Sequence, residues 1–161
     1  MKFRRATVED LAQICRLETL PQYRTMVGSW PQDQHLQTLA DPDAVYLVAE
    51  DPQGKIAGFA ILRGLRSQHR AVELKRLVVG VPNQGTGRML LAAVAERAFG
   101  EFGAHRLFLD VFVNNDRARH VYETFGFQEE GIMREAIYRD GAYYSLVLMS
   151  LLENEYRGGN E

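Results

Sequence analysis

Residues 77–91 read LVVGVPNQGTGRMLL, and this stretch decides the fold. Its first part is apolar and β-branched, as in a buried strand, and its last part begins a helix with one apolar face. The turn between them contains Gly85 and Gly87, which let a ligand approach the backbone without a Cβ clash. Several backbone N–H groups lie there beside the positive end of a helix dipole. The stretch therefore predicts a strand, a turn and a helix that bind a phosphate or pyrophosphate.

This turn differs from the two best-known phosphate-binding motifs. No Gly-Lys-Ser or Gly-Lys-Thr follows it, so it is not a Walker loop. A single G-x-G in the middle of the chain is not a dinucleotide-binding fingerprint either. Taken alone, the pattern also fits an ordinary tight turn between a strand and a helix.

The periodicity of the flanking sequence predicts an α/β domain around this stretch. We expect strands over residues 2–6, 44–50, 56–65, 72–81 and 106–113, followed by a long hairpin around Asp140-Gly141. We expect helices that begin at Thr7, near residue 31 and after the glycine-rich turn, and a fourth over residues 115–125 that Gly126 ends. The predicted order is β-α-α-β-β-β-α-β-α-β-β, a mixed β-sheet flanked by helices. One domain should cover residues 1–156, with a loose tail over 157–161.

Composition excludes several classes of protein. The chain has 161 residues, 46% of them hydrophobic, and a net charge of −2, which argues against non-specific binding of nucleic acid. Its one cysteine, Cys15, rules out a disulfide within the chain, and the four histidines show no metal-ligand spacing. Neither a secretory signal nor an apolar run of about 20 residues is present. We therefore expect a cytoplasmic protein with no metal, no membrane segment and no nucleic-acid partner.

A second pattern lies at residues 115–127. Asn115, Ala118, Tyr122 and the pair Gly126-Phe127 are spaced as N-x-x-A-x-x-x-Y-x-x-x-G-F. Together with the strand–turn–helix stretch before it, this pattern resembles the GNAT superfamily of acetyl-CoA-dependent N-acetyltransferases, whose turn reads Q/R-x-x-G-x-G/A. The resemblance covers the whole chain, although Pro82 stands at the first position of that turn motif. The run over residues 130–150 resembles the branch of ribosomal-protein, polyamine and small-amine N-acetyltransferases.

The resemblance implies a binding site for acetyl-CoA. The backbone around residues 77–79 would pair with the pantetheine arm like an added strand, and one N–H there would polarise the thioester carbonyl. The turn would surround the pyrophosphate. The implied cofactor-binding residues are Leu77, Val78, Val79, Asn83, Gln84, Gly85, Thr86, Gly87, Arg88, Asn115 and Ala118. Two of them have a second interpretation that needs no ligand. Arg88 also fits an arginine of the first helical turn exposed to solvent, and Asn115 also fits a helix N-cap.

Tyr122 matches the general acid of the family. A phenol with a pKa near 10 is still protonated at pH 7, so it could supply a proton to the leaving thiolate. The residue also belongs to an apolar stripe, with Ala118, Val121 and Phe125 at helical spacing, that would fit a role in the core alone. The segment that contains Tyr23 and Trp30 corresponds to one that often overhangs the acceptor pocket in this family.

The general base has three candidates. Glu73 and Asp110 each match a place where some members carry a carboxylate, and water alone is the third alternative. Either acid could instead be a strand-end charge that pairs with a neighbouring Lys75, Arg76 or Arg106.

The predicted function is transfer of an acetyl group from acetyl-CoA to a primary amine, by direct attack in a ternary complex. The amine could belong to a small molecule or to a protein N-terminus. Cys15, which is helical and expected to be buried, is poorly placed to form an acyl-enzyme. A non-catalytic acyl-CoA-binding module and an unrelated phosphate-binding domain are the alternatives. Many members of the family pair, so a homodimer is among the expected partners.

Overall fold

The computed structural model describes residues 1–23 and 26–158. Its strands are β1 (Lys2–Arg5), β2 (Ala44–Glu50), β3 (Ile56–Arg63), β4 (Ala71–Val79), β5 (Arg106–Phe112), β6 (Gln128–Arg139) and β7 (Ala142–Leu152). Its α-helices are α1 (Leu11–Glu18), α2 (Gln32–Ala40), α3 (Thr86–Glu96), α4 (Asp116–Phe125) and α5 (Glu153–Gly158). The predicted α/β class and element order are confirmed, with α5 as an addition.

The structure differs from the prediction at the first helix and at the end of the chain. A 3₁₀ turn over Val8–Asp10 precedes α1, because the Asp10 carboxylate accepts a hydrogen bond from the Thr7 backbone N–H at 2.7 Å and closes a tight first turn. At the other end, α5 includes two residues of the predicted tail. The side chains of Glu153 and Arg157, one helical turn apart, form an ion pair at 2.9 Å that stabilises this helix. Residues 159–161 lie outside the described residues. No helix in the described ranges is long and apolar enough to cross a membrane.

The seven strands form one sheet in the order β1-β2-β3-β4-β5-β7-β6. Neighbouring strands are antiparallel except β4 and β5, which are parallel. The pairing of β4 with β5 stops at Glu73 and Phe108. Beyond that point β4 continues along β3 to Val79, and β5 continues along β7 to Phe112. A wedge-shaped gap therefore opens inside the sheet.

A β-bulge shifts the two faces of β4 just after the gap opens. Leu62 pairs with Leu74 and Ile61 pairs with Arg76, so Lys75 is an extra residue on β4. Leu74 packs in the cluster of buried side chains that includes α3, whereas Val78 packs in the cluster that includes α1. The bulge thus lets one strand serve both faces of the sheet.

Each face of the sheet carries one layer of helices. On one face, α3 and α4 bury their apolar sides against β2, β3, β5 and β7, with Leu90, Leu91 and Val94 fully buried. On the other face, Leu11 and Ile14 of α1 are fully buried against β2, β3 and the end of β4. The helices hold the sheet from both sides and leave the wedge between β4 and β5 open at one edge.

A buried polar network connects the second helix layer to β4. The Glu18 carboxylate lies 2.6 Å from Nε2 of His35 and 2.9 Å from Nη1 of Arg76, and Nδ1 of His35 lies 2.6 Å from the Tyr46 hydroxyl. Glu18, His35 and Arg76 are all buried. Because each charge or ring nitrogen has a polar neighbour, the network offsets the cost of burial and fixes α1, α2 and β4 relative to one another.

Candidate active site

A cleft of about 550 Å³ opens where β4 and β5 diverge. Its volume lies within the range of small-molecule sites. The wall is formed by β4, β5, the glycine-rich turn, the beginnings of α3 and α4, and the segment after α1. Most of the residues proposed from the sequence meet there: Leu77, Val79, Asn83, Gly85, Thr86, Gly87, Arg88, Asp110, Asn115, Ala118 and Tyr122.

Three of the proposed residues do not line this cleft. Val78 is fully buried and pairs with Phe59 on β3, so its backbone and side chain both face away. Gln84 lines a smaller pocket on the far side of the turn. Glu73 lies before the strands diverge and forms an ion pair with Arg63.

The turn places the start of α3 against the cleft. Gly85 is the N-cap of α3 and has a φ of 78°, and Asn83 also has a left-handed φ of 63°. Glycine adopts this conformation without strain, and asparagine tolerates it better than most residues. The first N–H groups of a helix have no partner inside the helix, so α3 presents donors and partial positive charge at the cleft.

Two polar residues of the wall already have partners on α4. Nη1 of Arg88 lies 3.3 Å from the Thr124 hydroxyl, and its guanidinium lies 5.8 Å from the centre of the Phe125 ring. The Asn115 side chain accepts a hydrogen bond from the backbone N–H of Ala118 at 3.3 Å. Asn115 is therefore the N-cap of α4, as one of its two sequence interpretations predicted, and it also lines the cleft.

Tyr122 serves both the core and the cleft. Its side chain is 8% exposed and packs with the cluster under α3, and its ring centre lies 5.7 Å from that of Phe127. The same side chain forms part of the cleft wall. Burial raises the pKa of the Tyr122 phenol well above its ordinary value, with smaller contributions from Tyr23 and Asp110. The phenol consequently stays protonated at neutral pH.

Asp110 of β5 and Lys75 of β4 are two charged residues of the wall that affect each other's pKa. Desolvation by the surrounding wall raises the pKa of the Asp110 carboxyl; Lys75 opposes this shift and Glu73 adds to it. Desolvation lowers the pKa of the Lys75 ammonium, and the nearby Arg63 acts in the same direction. No motif in the sequence pointed to Lys75, because the bulge that turns it toward the cleft leaves no periodic signal.

Tyr23 contacts the open edge of β4 directly. Its hydroxyl accepts a hydrogen bond from the Val79 N–H at 2.9 Å and donates one to the Val79 carbonyl at 2.5 Å. The sequence placed Tyr23 in a segment expected to overhang the site, but it carried no sign of this contact between residues so far apart in the chain. The contact shows that both backbone polar groups of Val79 point into the wedge.

The remaining reactive groups do not contribute to the cleft. Cys15 is half-buried outside its wall, and burial raises the pKa of its thiol, so the nucleophilic thiolate is disfavoured. Within the described ranges, no group of three or more His, Cys, Asp or Glu side chains is arranged to hold a metal ion.

Comparisons with known proteins agree on one family. The model of the acetyltransferase (GNAT) family matches residues 7–127. A spermidine N(1)-acetyltransferase from Vibrio cholerae is 31% identical over 116 residues, which are 71% of this chain and 66% of that protein. A putative ribosomal N-acetyltransferase, YdaF, from Bacillus subtilis is 29% identical over 65% of this chain and 58% of its own length. The chain thus spans less than two thirds of either relative.

Solved structures show the same fold over the full length. A mutant of the Vibrio cholerae spermidine N-acetyltransferase SpeG has a TM-score of 0.86 and 25% identity, with all of both chains covered. The complex of that organism's spermidine N-acetyltransferase with CoA and spermine has a TM-score of 0.84 and 25% identity, with 97% of both chains covered. These matches and the family model confirm the resemblance seen in the sequence. The chain belongs to the acetyltransferase (GNAT) family, the class of acetyl-CoA-dependent N-acetyltransferases that its motifs predicted.

Proposed function

We propose that this protein transfers the acetyl group of acetyl-CoA to a primary amine in the wedge between β4 and β5. One observation carries the proposal: the polar backbone groups of Val79, the start of α3 and the Tyr122 side chain all border the same cleft. A strand edge, a phosphate-binding helix terminus and a proton donor are the parts that acetyl transfer needs. The cytoplasmic location expected from the sequence and the homodimer implied by the family resemblance remain predictions.

The residues present fit acetyl-CoA. A Cβ built on Gly85 would meet no atom within 4 Å, and one built on Gly87 would come no closer than 3.8 Å to Val79, so the turn is open on its cleft side. This cradle would hold the pyrophosphate through backbone N–H groups, with Arg88 adding positive charge. The backbone N–H and carbonyl groups of Leu77 and Val79, on the open edge of β4, would form hydrogen bonds with the pantetheine amides. Bound in this way, acetyl-CoA supplies the acyl group as a thioester.

Tyr122 acts as the general acid. The amine nitrogen forms a bond to the acyl carbon, the carbon–sulfur bond breaks, and the phenol gives its proton to the leaving sulfur. The proton that the nitrogen loses as the amide forms restores the phenol. A backbone N–H on the edge of β4 stabilises the negative charge that develops on the carbonyl oxygen. The raised pKa of Tyr122 keeps its phenol protonated, and the surrounding apolar core fixes the orientation of the ring.

Asp110 acts as the general base. The incoming ammonium must lose a proton before or during its attack, and Asp110 is the carboxylate of the wall nearest the wedge, on β5. Its raised pKa makes it a better proton acceptor than an ordinary aspartate. Glu73 is less suited, because its ion pair with Arg63 lies outside the cleft wall.

The charge of the wall favours an acceptor with a single ammonium group. Arg88, Arg117 and Asp116 lie at the starts of α3 and α4, on the side of the phosphates. On the strand side, Asp110 is the one acid among the described residues of the wall, and the Lys75 ammonium lies close enough to affect its pKa. Glu18 compensates the charge of Arg76. A polyamine would need several carboxylates there, whereas a monoamine needs one.

Gly87→Ala tests the cradle. Gly87 lies in the first turn of α3, and alanine is favoured over glycine in a helix by up to about 1 kcal/mol, so the unfolding free energy should rise. The added methyl should nevertheless weaken acetyl-CoA binding about tenfold, because it separates the backbone N–H from the phosphate. Urea unfolding and calorimetric titration measure the two effects.

The matched Gly85→Ala variant should lose about 1 kcal/mol of stability, because its φ is 78°. Unchanged affinity in both variants would contradict the cradle.

Tyr122→Phe tests the proton donor, and with it the proposed function. We expect kcat to fall about 10²-fold, since the phenyl ring keeps the packing but has no proton to give. The dissociation constant of acetyl-CoA should stay within about twofold of the wild-type value. Thiol release with an amine acceptor measures the rate, and calorimetry measures the affinity. Full activity in the variant would remove Tyr122 from the mechanism. Cofactor binding without thiol release on any amine would show a non-catalytic acyl-CoA-binding module.

Asp110→Asn and Glu73→Gln form a matched pair that tests the base. Each removes one negative charge and keeps the shape of the side chain. The Asn variant should lose about 10²-fold in kcat, and the Gln variant should stay within about threefold of the wild type. Since the base must be ionised and its pKa is raised, the wild-type kcat should fall as pH drops, at a pH above that at which an ordinary aspartate titrates. That decrease in kcat at low pH should be absent in Asp110→Asn. The reverse ranking of the two variants would assign the base to Glu73.

A charge series tests the acceptor. Butylamine, 1,4-diaminobutane and spermidine share an aminobutyl group and add one ammonium at each step. We expect kcat/KM to fall about fivefold per added charge, the equivalent of about 1 kcal/mol of repulsion in a solvated cleft. Lys75→Gln should reduce that penalty, and high salt should reduce it as well. A preference for spermidine in the wild type would show that the acceptor is a polyamine, as in the Vibrio cholerae relative.

A further inference from the structure

The Tyr23 hydroxyl satisfies both hydrogen-bonding groups of a residue on the open edge of β4. It accepts from the Val79 N–H at 2.9 Å and donates to the Val79 carbonyl at 2.5 Å. A hydroxyl can do both at once, because it has one donor and two acceptor sites. A residue of a neighbouring strand would fill the same two positions with its own carbonyl and N–H, which belong to two successive amides. Tyr23 therefore occupies the place of a strand partner at this point of β4.

The contact is mutually exclusive with an extended ligand along β4. The Val79 N–H has a single hydrogen, which cannot make a full hydrogen bond to two acceptors. Under the proposed function, the pantetheine arm would bind along this edge and its amide would need that hydrogen. The inference that follows rests on the proposed function for this reason.

The segment that carries Tyr23 is held near the end of β4 by other contacts. The Gln22 side chain donates a hydrogen bond to the Gly80 carbonyl at 3.3 Å. The Tyr23 carbonyl accepts from the backbone N–H groups of Val27 and Gly28, at 3.0 and 3.1 Å. Nη1 of Arg76 in turn donates to the carbonyls of those two residues. The phenol can therefore leave Val79 while its segment stays tied to the sheet through Arg76.

We propose that Tyr23 is a displaceable stand-in for the pantetheine amide, and that its hydroxyl leaves Val79 when acetyl-CoA binds. The hydroxyl keeps the backbone groups of Val79 hydrogen-bonded within the protein until the ligand arrives. It also lowers the apparent affinity, because two hydrogen bonds must be exchanged rather than formed. Tyr23 is thus a positioning residue that sets the affinity for the pantetheine arm, without a part in the chemistry.

Tyr23→Phe is the direct test. The variant keeps the ring, which is half-buried, and removes the hydroxyl. Calorimetric titration should show acetyl-CoA binding about three- to tenfold more tightly than in the wild type. Adenosine 3′,5′-bisphosphate, which has the 3′-phosphate and the first phosphate of the pyrophosphate but no pantetheine arm, should bind both proteins equally. Tyr143→Phe, at a tyrosine of β7 that is 63% exposed, is the matched control and should change neither affinity.

The outcomes separate this inference from the proposed function. Equal or weaker acetyl-CoA binding by Tyr23→Phe, with normal binding by the wild type, overturns the stand-in and leaves the acetyltransferase proposal intact. Binding by neither protein overturns both. Tighter binding of the bisphosphate as well would show a general effect on the cleft and would also overturn the stand-in.

A second measurement covers a variant that fails to fold. In wild-type protein labelled with ¹³C at the tyrosine ring, the Tyr23 resonance should move when acetyl-CoA is added and stay in place with the bisphosphate. A Tyr23 resonance whose chemical shift does not change at saturating acetyl-CoA would overturn the inference.

Discussion

The structure depends on a strand that loses its neighbour in the middle of a sheet. Where β4 leaves β5 after Glu73, the backbone groups on that side of β4 no longer have a ladder partner. Buried backbone N–H and carbonyl groups that stay unpaired cost about as much as a lost hydrogen bond each, so folded proteins almost always supply a partner. In this chain Tyr23 supplies it at Val79. The unpaired edge is thus both a problem for folding and the feature that makes a ligand site.

The bulge at Lys75 makes that edge compatible with a closed core. Without the extra residue, strict alternation would send Arg76 and Leu74 to the same face of the sheet. With it, Leu74 packs under α3 while Arg76 reaches Glu18 on the other face. The resulting ion pair holds the end of α1 against β4. Because the segment containing Tyr23 follows α1 directly, the same bulge also determines where that tyrosine meets the sheet.

Sequence patterns predicted the elements well and the site in part. Alternation, caps and glycines are local signals, and they predicted the order of elements along the chain, the turn at Gly85 and the end of α4 at Gly126. Contacts between distant residues leave no such signal, so the bond from Tyr23 to Val79 could not be predicted. The point where β4 leaves β5 has none either, and it determines which of the two carboxylates lines the cleft. For this reason spacing alone left Glu73 and Asp110 open, and only the geometry separates them.

The same physical argument explains why Tyr122 looked ambiguous in the sequence. It lies in an apolar stripe of α4, and the structure buries it with the core while its side chain still borders the cleft. Burial raises the pKa of its phenol, and the packing holds the ring in one orientation. A proton donor gains from both effects, because it must stay protonated and must be in place before the sulfur leaves. Membership of the core is therefore the means by which Tyr122 can serve the chemistry, and the two interpretations of its pattern are compatible.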